Sequence, residues 1–193
     1  MTPPVAAPVV AGDRAAAGLQ GEGPRRALFL DRDGVINVNH GYVHAPAQTD
    51  WVPGIFELAR AARAAGFVLV VVTNQAGIAR GYYDVARFER YTRWMHERFE
   101  REGAPLLATY YCPHHPEAGI GDWRVACGCR KPEPGMLLAA IGDWDIDPAR
   151  SVLVGDQPGD IEAARRAGVT TTFLATNGAL RDAMAWLSAR RRS

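Results

Sequence analysis

The chain has 193 residues, of which 48% are hydrophobic and 22% charged. This is typical of one ordinary globular domain and excludes a fibrous or disulfide-rich protein. Its 22 Lys and Arg against 21 Asp and Glu leave a formal net charge of +1, so the overall charge favours neither nucleic acid nor an anionic membrane as a partner. No apolar run approaches the roughly 20 residues of a transmembrane helix, and no signal-peptide pattern is present. We therefore expect a cytoplasmic protein.

The first 24 residues differ in composition from the rest of the chain. Ala, Pro and Gly supply 14 of them, and none is aromatic, so this segment has little apolar surface to bury in exchange for ordering. We predict a disordered extension over residues 1–24, one folded domain over residues 25–189 and a basic tail over residues 190–193.

Apolar runs of strand length alternate with amphipathic stretches from residue 27 onward. The predicted strands, which we expect to be covered on both faces, are residues 27–30, 67–72, 107–111, 152–154 and 170–174. The predicted helices are residues 53–65, a helix that begins after the capping residue Asp84 and ends near Gly103, and residues 135–141, 159–167 and 180–187. This alternation predicts an α/β fold with a doubly wound parallel sheet.

Polar residues follow the predicted strands at their carboxyl ends, where open α/β sheets bind ligands. Asp31 and Asp33 follow the first strand, Thr73 the second, Lys131 the third and Asp156 the fourth. Each residue alone has an ordinary explanation as a turn carboxylate, a strand end, a helix cap or a surface charge. Together, clustered carboxylates predict a Mg²⁺ site, and a hydroxyl and a lysine beside it indicate phosphoryl transfer.

The three cysteines lie in two short motifs, Cys112-Pro-His114 and Cys127-Gly-Cys129. With one histidine, either His114 or His115, they predict a tetrahedral zinc site, which leaves no open position for catalysis and is therefore structural. The alternative is a set of buried cysteines beside a solvated histidine. A zinc-stabilised loop would hold the backbone directly before Lys131.

Four motifs resemble those of haloacid dehalogenase superfamily phosphatases. They are the run of residues 28–37 around Asp31-Arg-Asp33-Gly, Thr73, Lys131, and Asp156 with Asp160. The segments Cys-Pro-His-His-Pro and Cys-Gly-Cys-Arg-Lys-Pro resemble the D-glycero-D-manno-heptose 1,7-bisphosphate 7-phosphatase family, a branch that also contains histidinol-phosphate phosphatases. The spacing in that family favours His114 over His115 as the zinc ligand.

The resemblance implies a role for each motif residue. Asp31 is the implied nucleophile, which becomes an aspartyl phosphate, and Asp33 is the implied general acid and then base. Thr73 and Lys131 are implied to hold the phosphoryl group. Asp31, Asp156 and the main-chain carbonyl of Asp33 are the implied Mg²⁺ ligands, and Asp160 is expected to be a supporting residue.

The resemblance also implies a substrate-binding surface, and the compact length of the chain fits a member without a large cap domain. Its residues would be Asn39, His40, Gly41, Tyr42, Thr73, Asn74, Gln75, Ala76, Arg130 and Lys131. Arg130 suits the second phosphate of a sugar bisphosphate because a guanidinium binds phosphate oxygens bidentately. We expect a small-molecule substrate and a monomer. His44, His96 and His115 are expected to be polar surface or loop residues.

The implied function is removal of the C7 phosphate of heptose 1,7-bisphosphate, on the route to nucleotide-activated heptose for cell-surface glycans. Histidinol-phosphate phosphatase is the enzymatic alternative. A zinc-stabilised, non-catalytic binding module is a second alternative, although Asp31, Asp33 and Lys131 argue against it. Nucleic-acid binding through the zinc loop and the arginine-rich tail is disfavoured by the net charge.

Overall fold

The computed structural model describes residues 10–12, 23–175 and 179–190. Its strands are Val10–Ala11 (β1), Arg26–Leu30 (β2), Phe67–Asn74 (β3), Ala108–Cys112 (β4), Val152–Gly155 (β5) and Thr171–Leu174 (β6). Its α-helices are Ile55–Ala64 (α1), Ala76–Ala79 (α2), Val85–Arg101 (α3), Gly135–Trp144 (α4), Pro158–Arg166 (α5) and Ala179–Arg190 (α6).

One sheet runs in the order β1-β4-β3-β2-β5-β6. All pairs are parallel except β1 with β4. The chain passes from β2 through β3 to β4 and then returns to β5 on the other side of β2. The predicted α/β doubly wound sheet is thus confirmed, and its topological switch point lies at the carboxyl ends of β2 and β5, where such sheets bind ligands.

Two apolar clusters cover the two faces of the sheet. In β2, Leu28 and Leu30 pack with α1, α3 and α6, whereas Ala27 and Phe29 pack with α4 and α5. Successive side chains of a strand point to opposite faces, so a strand covered on both faces carries apolar residues without alternation. The prediction of two covered faces is wrong for the edge strand β6, whose residues are only partly buried or exposed.

Helix boundaries follow local capping signals. The Asp84 side chain accepts a hydrogen bond from the Arg87 backbone N–H at 2.7 Å and caps α3, as predicted. Helix α4 continues to Trp144, three residues beyond its predicted end. The short helix α2 was not predicted. His96 of α3 is buried, which corrects the expectation that it is a surface or loop residue.

The chain ends differ in part from their predictions. Val10–Ala11 pairs with β4, and the Gly12 N–H donates to the Leu107 carbonyl at 2.8 Å. The expected disorder is therefore corrected for residues 10–12, while residues 1–9 and 13–22 lie outside the described residues. Arg190 of the predicted tail is the last residue of α6, and residues 191–193 also lie outside. Among the described residues, no helix is long and apolar enough to cross a membrane.

Candidate active site

Three carboxylates converge at the switch point. Asp31 follows β2, Asp156 follows β5, and Asp160 lies in the first turn of α5; one oxygen from each lies within 4.8 Å of the others. The Asp31 N–H donates to the Val154 carbonyl at 3.0 Å, so the sheet itself fixes the position of this residue. Clustered carboxylate oxygens suit a hard cation such as Mg²⁺, which relieves their mutual repulsion.

Lys131 connects two of these carboxylates. Its Nζ lies 3.0 Å from Asp31 Oδ1 and 2.6 Å from Asp160 Oδ1, and it donates to the Val72 carbonyl at 2.8 Å. Asp160 Oδ2 accepts the backbone N–H groups of Asp156 and Gln157 at 3.0 and 2.9 Å. Since both oxygens of Asp160 are occupied, its carboxylate supports Lys131 and the start of α5, and Asp31 and Asp156 remain as side-chain ligands for a metal.

Asp31 has an unusual proton affinity. Burial raises its pKa to about 7, against the opposing attraction of Lys131, because desolvation penalises the charged carboxylate. Its Oδ1 accepts hydrogen bonds from Lys131 Nζ and the Arg32 N–H, while its Oδ2 has no hydrogen-bond partner among the described residues. A divalent cation beside Asp31 would stabilise its ionised carboxylate, which is the form that can act as a nucleophile.

The Asp33 carboxylate is held by three donors. Arg32 Nη2 donates to both of its oxygens at 2.9 and 2.7 Å, and Asn37 Nδ2 donates to Oδ1 at 3.0 Å. Gln75 Nε2 donates to Oδ2 at 3.3 Å. Neither Arg32 nor Asn37 was predicted as a site residue. The spacing of these residues along the chain does not predict that their side chains contact Asp33.

Gln75 also orients Thr73. Its Nε2 donates to Thr73 Oγ1 at 2.8 Å, and its Oε1 accepts a hydrogen bond from the Tyr83 hydroxyl at 2.7 Å, which fixes the amide orientation. The Thr73 hydroxyl proton is therefore available to a phosphoryl oxygen. Gln75 is only 1% exposed and contacts both Thr73 and Asp33, and a substrate contact by Gln75 remains a prediction. Tyr83 was missed by the sequence analysis.

Asn74 holds the backbone of Lys131. Its Nδ2 donates to the Lys131 carbonyl at 3.1 Å, and its Oδ1 accepts the Lys131 N–H at 3.0 Å. This pair of bonds joins the end of β3 to the segment that follows the zinc loop. A substrate contact by Asn74 remains a prediction.

Close packing at Gly34 explains the glycine of the first motif. Gly34 has a φ of +88°, and a Cβ atom on it would lie 2.4 Å from Asp156 Oδ2. Any larger residue would displace the carboxylate of Asp156 or strain the turn.

These residues line an open cavity of about 550 Å³. The predicted site residues that line it are Asp31, Asp33, Asn39, Gly41, Tyr42, Thr73, Asn74, Gln75, Ala76, Arg130, Lys131 and Asp156. His40 is the one predicted substrate residue outside this lining. Its Nε2 lies 2.7 Å from Asp50 Oδ2 on the exposed surface.

The predicted zinc ligands also meet. The Sγ atoms of Cys112, Cys127 and Cys129 lie 3.2 to 3.5 Å apart, and His114 Nδ1 is 3.8 and 3.5 Å from Cys112 and Cys129. These separations suit four ligands at about 2.0–2.3 Å from one Zn²⁺ ion. The Cys112 and Cys129 Sγ atoms are within hydrogen-bond distance at 3.3 Å, and this contact lowers the pKa of Cys129 to about 5, which favours a thiolate ligand. His115 Nδ1 instead accepts two backbone N–H groups at 3.2 and 3.0 Å.

Comparison with known sequences places the chain near one group of enzymes. A family model described as HAD-hydrolase-like matches residues 128–190. Relatives from Burkholderia mallei, Vibrio cholerae and Escherichia coli are 55%, 50% and 47% identical over 77–79% of this chain and 79–82% of their own. The first is named D-glycero-alpha-D-manno-heptose-1,7-bisphosphate 7-phosphatase, and the other two carry the same name with the beta anomer.

Solved structures agree with these relatives. A HAD-like phosphatase from Mesorhizobium loti is 33% identical, with a TM-score of 0.80 over 89% of this chain and 91% of that chain. D,D-heptose 1,7-bisphosphate phosphatase from B. bronchiseptica, complexed with magnesium and phosphate, is 33% identical, with a TM-score of 0.69 over 83% of this chain and 86% of that chain.

Proposed function

Because the chain belongs to the haloacid dehalogenase superfamily and, within it, to the D-glycero-D-manno-heptose 1,7-bisphosphate 7-phosphatase family, we propose that it hydrolyses the C7 phosphate of D-glycero-D-manno-heptose 1,7-bisphosphate. The observation that carries this proposal is the convergence of Asp31, Lys131 and Asp156 at the switch point of the sheet. The reaction would serve the synthesis of nucleotide-activated heptose for cell-surface glycans.

The proposed reaction has two steps. A carboxylate oxygen of Asp31 attacks phosphorus, and the bond from phosphorus to the sugar oxygen breaks while Asp33 gives that oxygen its proton. Water then attacks the aspartyl phosphate, the bond from phosphorus to Asp31 breaks, and Asp33 takes a proton from the water. Thr73 and Lys131 hold the phosphoryl oxygens in both steps.

The donor set fits Mg²⁺, which Asp31, Asp156 and the main-chain carbonyl of Asp33 would hold. When bound, the ion offsets the charge repulsion between the anionic nucleophile and the anionic phosphate. The side chains of Lys131 and Thr73 then orient the substrate, since Lys131 is itself fixed by Asp160.

Arg130 is the proposed contact for the second phosphate. It lines the cavity beside Lys131, and its Nη1 donates to the His114 carbonyl at 3.2 Å. No carboxylate pairs with it among the described residues, so its charge remains available to an anion. Loop residues Asn39, Gly41 and Tyr42 line the cavity, and we propose that they contact the sugar.

The Cys₃His cluster is proposed to bind structural Zn²⁺, because four protein ligands leave no position for substrate. Three free cysteines suit metal binding in a reducing compartment, which supports the expectation of a cytoplasmic enzyme.

A substrate panel tests the proposed function. We expect kcat/KM to be at least about 100-fold higher for one or both anomers of heptose 1,7-bisphosphate than for histidinol phosphate. The two anomers should be assayed separately, since the relatives are named for different ones. A preference for histidinol phosphate, or no phosphatase activity in the presence of Mg²⁺, would reject the proposal.

A further inference from the structure

Arg32 stands between the two aspartates of the first motif, and no step of the proposed reaction uses it. Its side chain is fully buried, at 0% exposure. Its guanidinium lies 5.8 and 5.2 Å from the ring centroids of Phe88 and Tyr91 on α3. Burying a guanidinium is costly unless an anion pairs with it, so the location of Arg32 needs a reason beyond packing.

The charge of Arg32 is directed at Asp33. Its Nη2 contacts both Asp33 oxygens and donates to the Val43 carbonyl at 2.6 Å, whereas Nε and Nη1 are buried without hydrogen-bond partners. Within residues 10–12, 23–175 and 179–190, Asp33 is the one carboxylate within ion-pair distance of Arg32. A single guanidinium nitrogen thus holds both oxygens of the proposed acid.

The backbone of Arg32 is held as well. Its carbonyl accepts the N–H groups of Ile36 and Asn37 at 2.8 and 3.1 Å, and its own N–H donates to Asp31 Oδ1 at 2.7 Å. The aromatic rings limit the side chain on one side and Asp33 limits it on the other. Arg32 therefore presents its nitrogen to Asp33 from a fixed position.

We propose that Arg32 is a positioning residue, which holds the Asp33 carboxyl group where it can transfer a proton to the departing sugar oxygen. The inference rests on the proposed function, in which Asp33 is the general acid and base. Without Arg32, each Asp33 oxygen keeps one neutral amide donor, Asn37 at 3.0 Å and Gln75 at 3.3 Å, but Asp33 loses the charged donor that contacts both oxygens at once. Misplacement of a catalytic group lowers the rate only of the steps that need it.

Two substrates whose leaving groups differ in basicity can distinguish a loss of Asp33 positioning from general structural damage. A sugar alkoxide needs a proton to depart, whereas the phenolate of p-nitrophenyl phosphate departs without one. The ratio kcat/KM covers the steps through formation of the aspartyl phosphate, so later hydrolysis does not affect it. We expect Arg32→Lys to lower kcat/KM about 30-fold or more for the sugar bisphosphate and no more than about 3-fold for the aryl phosphate. Equal losses on both substrates would overturn the proposal.

Tyr91→Phe is the matched control, because it removes the contact between the Tyr91 hydroxyl and Thr49 beside Arg32 and leaves Asp33 untouched. We expect it to lower the melting temperature and to leave the ratio of the two kcat/KM values unchanged. A change in that ratio as large as the one in Arg32→Lys would also overturn the proposal.

A second pair of variants tests the positioning role of Arg32 if Arg32→Lys does not fold. Asp33→Asn and the double variant Arg32→Met/Asp33→Asn differ only at Arg32, and the double variant contains no unpaired buried charge from this pair. We expect their kcat/KM values for the sugar bisphosphate to agree within about 3-fold, since Arg32 has no carboxylate left to position. A further tenfold loss in the double variant would overturn the inference. Inactive wild-type protein on both substrates would reject the proposed function instead.

Discussion

Asp31 combines a fixed position with one oxygen that accepts no hydrogen bond from the described residues. Replacing it by asparagine removes the nucleophile and the charge, while Lys131 keeps Asp160 and the Val72 carbonyl as partners. We expect Asp31→Asn to lower kcat by about 10³-fold or more with little change in melting temperature. Asp50→Asn, on the exposed surface, is the control and should keep full activity. Retention of a tenth of wild-type activity in Asp31→Asn would contradict the nucleophile assignment.

His96 provides a test of stability away from the active site. Its Nε2 lies 2.7 Å from Thr109 Oγ1, its Nδ1 is buried without a partner, and burial lowers its pKa to about 4. The native state therefore holds a neutral ring, whereas the unfolded chain binds a proton near pH 6.5. The contribution of the neutral His96 ring to the free energy of unfolding is therefore fully present above pH 6.5 and is lost as the pH falls towards 4.

The variant His96→Gln keeps a group that can bond to Thr109 and does not titrate in this range. Between pH 7 and pH 4.5, we expect the free energy of unfolding of the wild type to fall roughly 2.5 kcal/mol more than that of the variant. Urea unfolding at the two pH values measures this difference. Parallel losses in both proteins would show that His96 is not held neutral.

At the scale of elements, the cysteine loop has little apolar core of its own and depends on its proposed metal. The loop ends at Cys129, two residues before Lys131, so loss of the metal should disturb the active site. We expect His114→Gln to bind less than one zinc per chain, to melt at a lower temperature and to lose activity. His115→Gln is the matched control and should keep one zinc, because His115 faces the backbone N–H groups of its own turn.

Cys127→Ser tests the same loop from the thiol side, and we expect it to lower bound zinc and thermal stability together. Elemental analysis and a thermal melt of each purified variant measure both quantities. Full zinc content and an unchanged melting temperature in His114→Gln or Cys127→Ser would rule out the proposed ligand set.

Most elements could be predicted because their signals are local. Strand β3 is a long apolar run, and Asp84 caps α3 just before its amphipathic pattern begins. Helix α2 has four residues, too few to show a helical period. Strand β1 forms because Val10–Ala11 pairs with the edge of β4. The composition of the first 24 residues does not predict such a tertiary contact.

At the scale of the whole molecule, parallel strands made the convergence of the site predictable. Asp31 and Asp156 directly follow β2 and β5, and Thr73 is the second-last residue of β3. Parallel strands end at one edge of the sheet. The direction of a side chain beyond that edge was not predictable. Arg32 turns towards Asp33 instead of solvent, and His40 pairs with Asp50 outside the cavity.

The same convergence couples ligand binding to global stability, because the site exists only when the strand ends meet. With phosphate present, Mg²⁺ near 100 times its dissociation constant should add about 2.7 kcal/mol and raise the melting temperature by roughly 5–10 °C. Phosphate alone should raise it less, since the carboxylates of Asp31 and Asp156 repel an anion. Asp156→Asn should abolish the Mg²⁺-dependent part of the increase, and Asp182→Asn on α6 should keep it. An equal increase in Asp156→Asn would show that the ligands bind elsewhere.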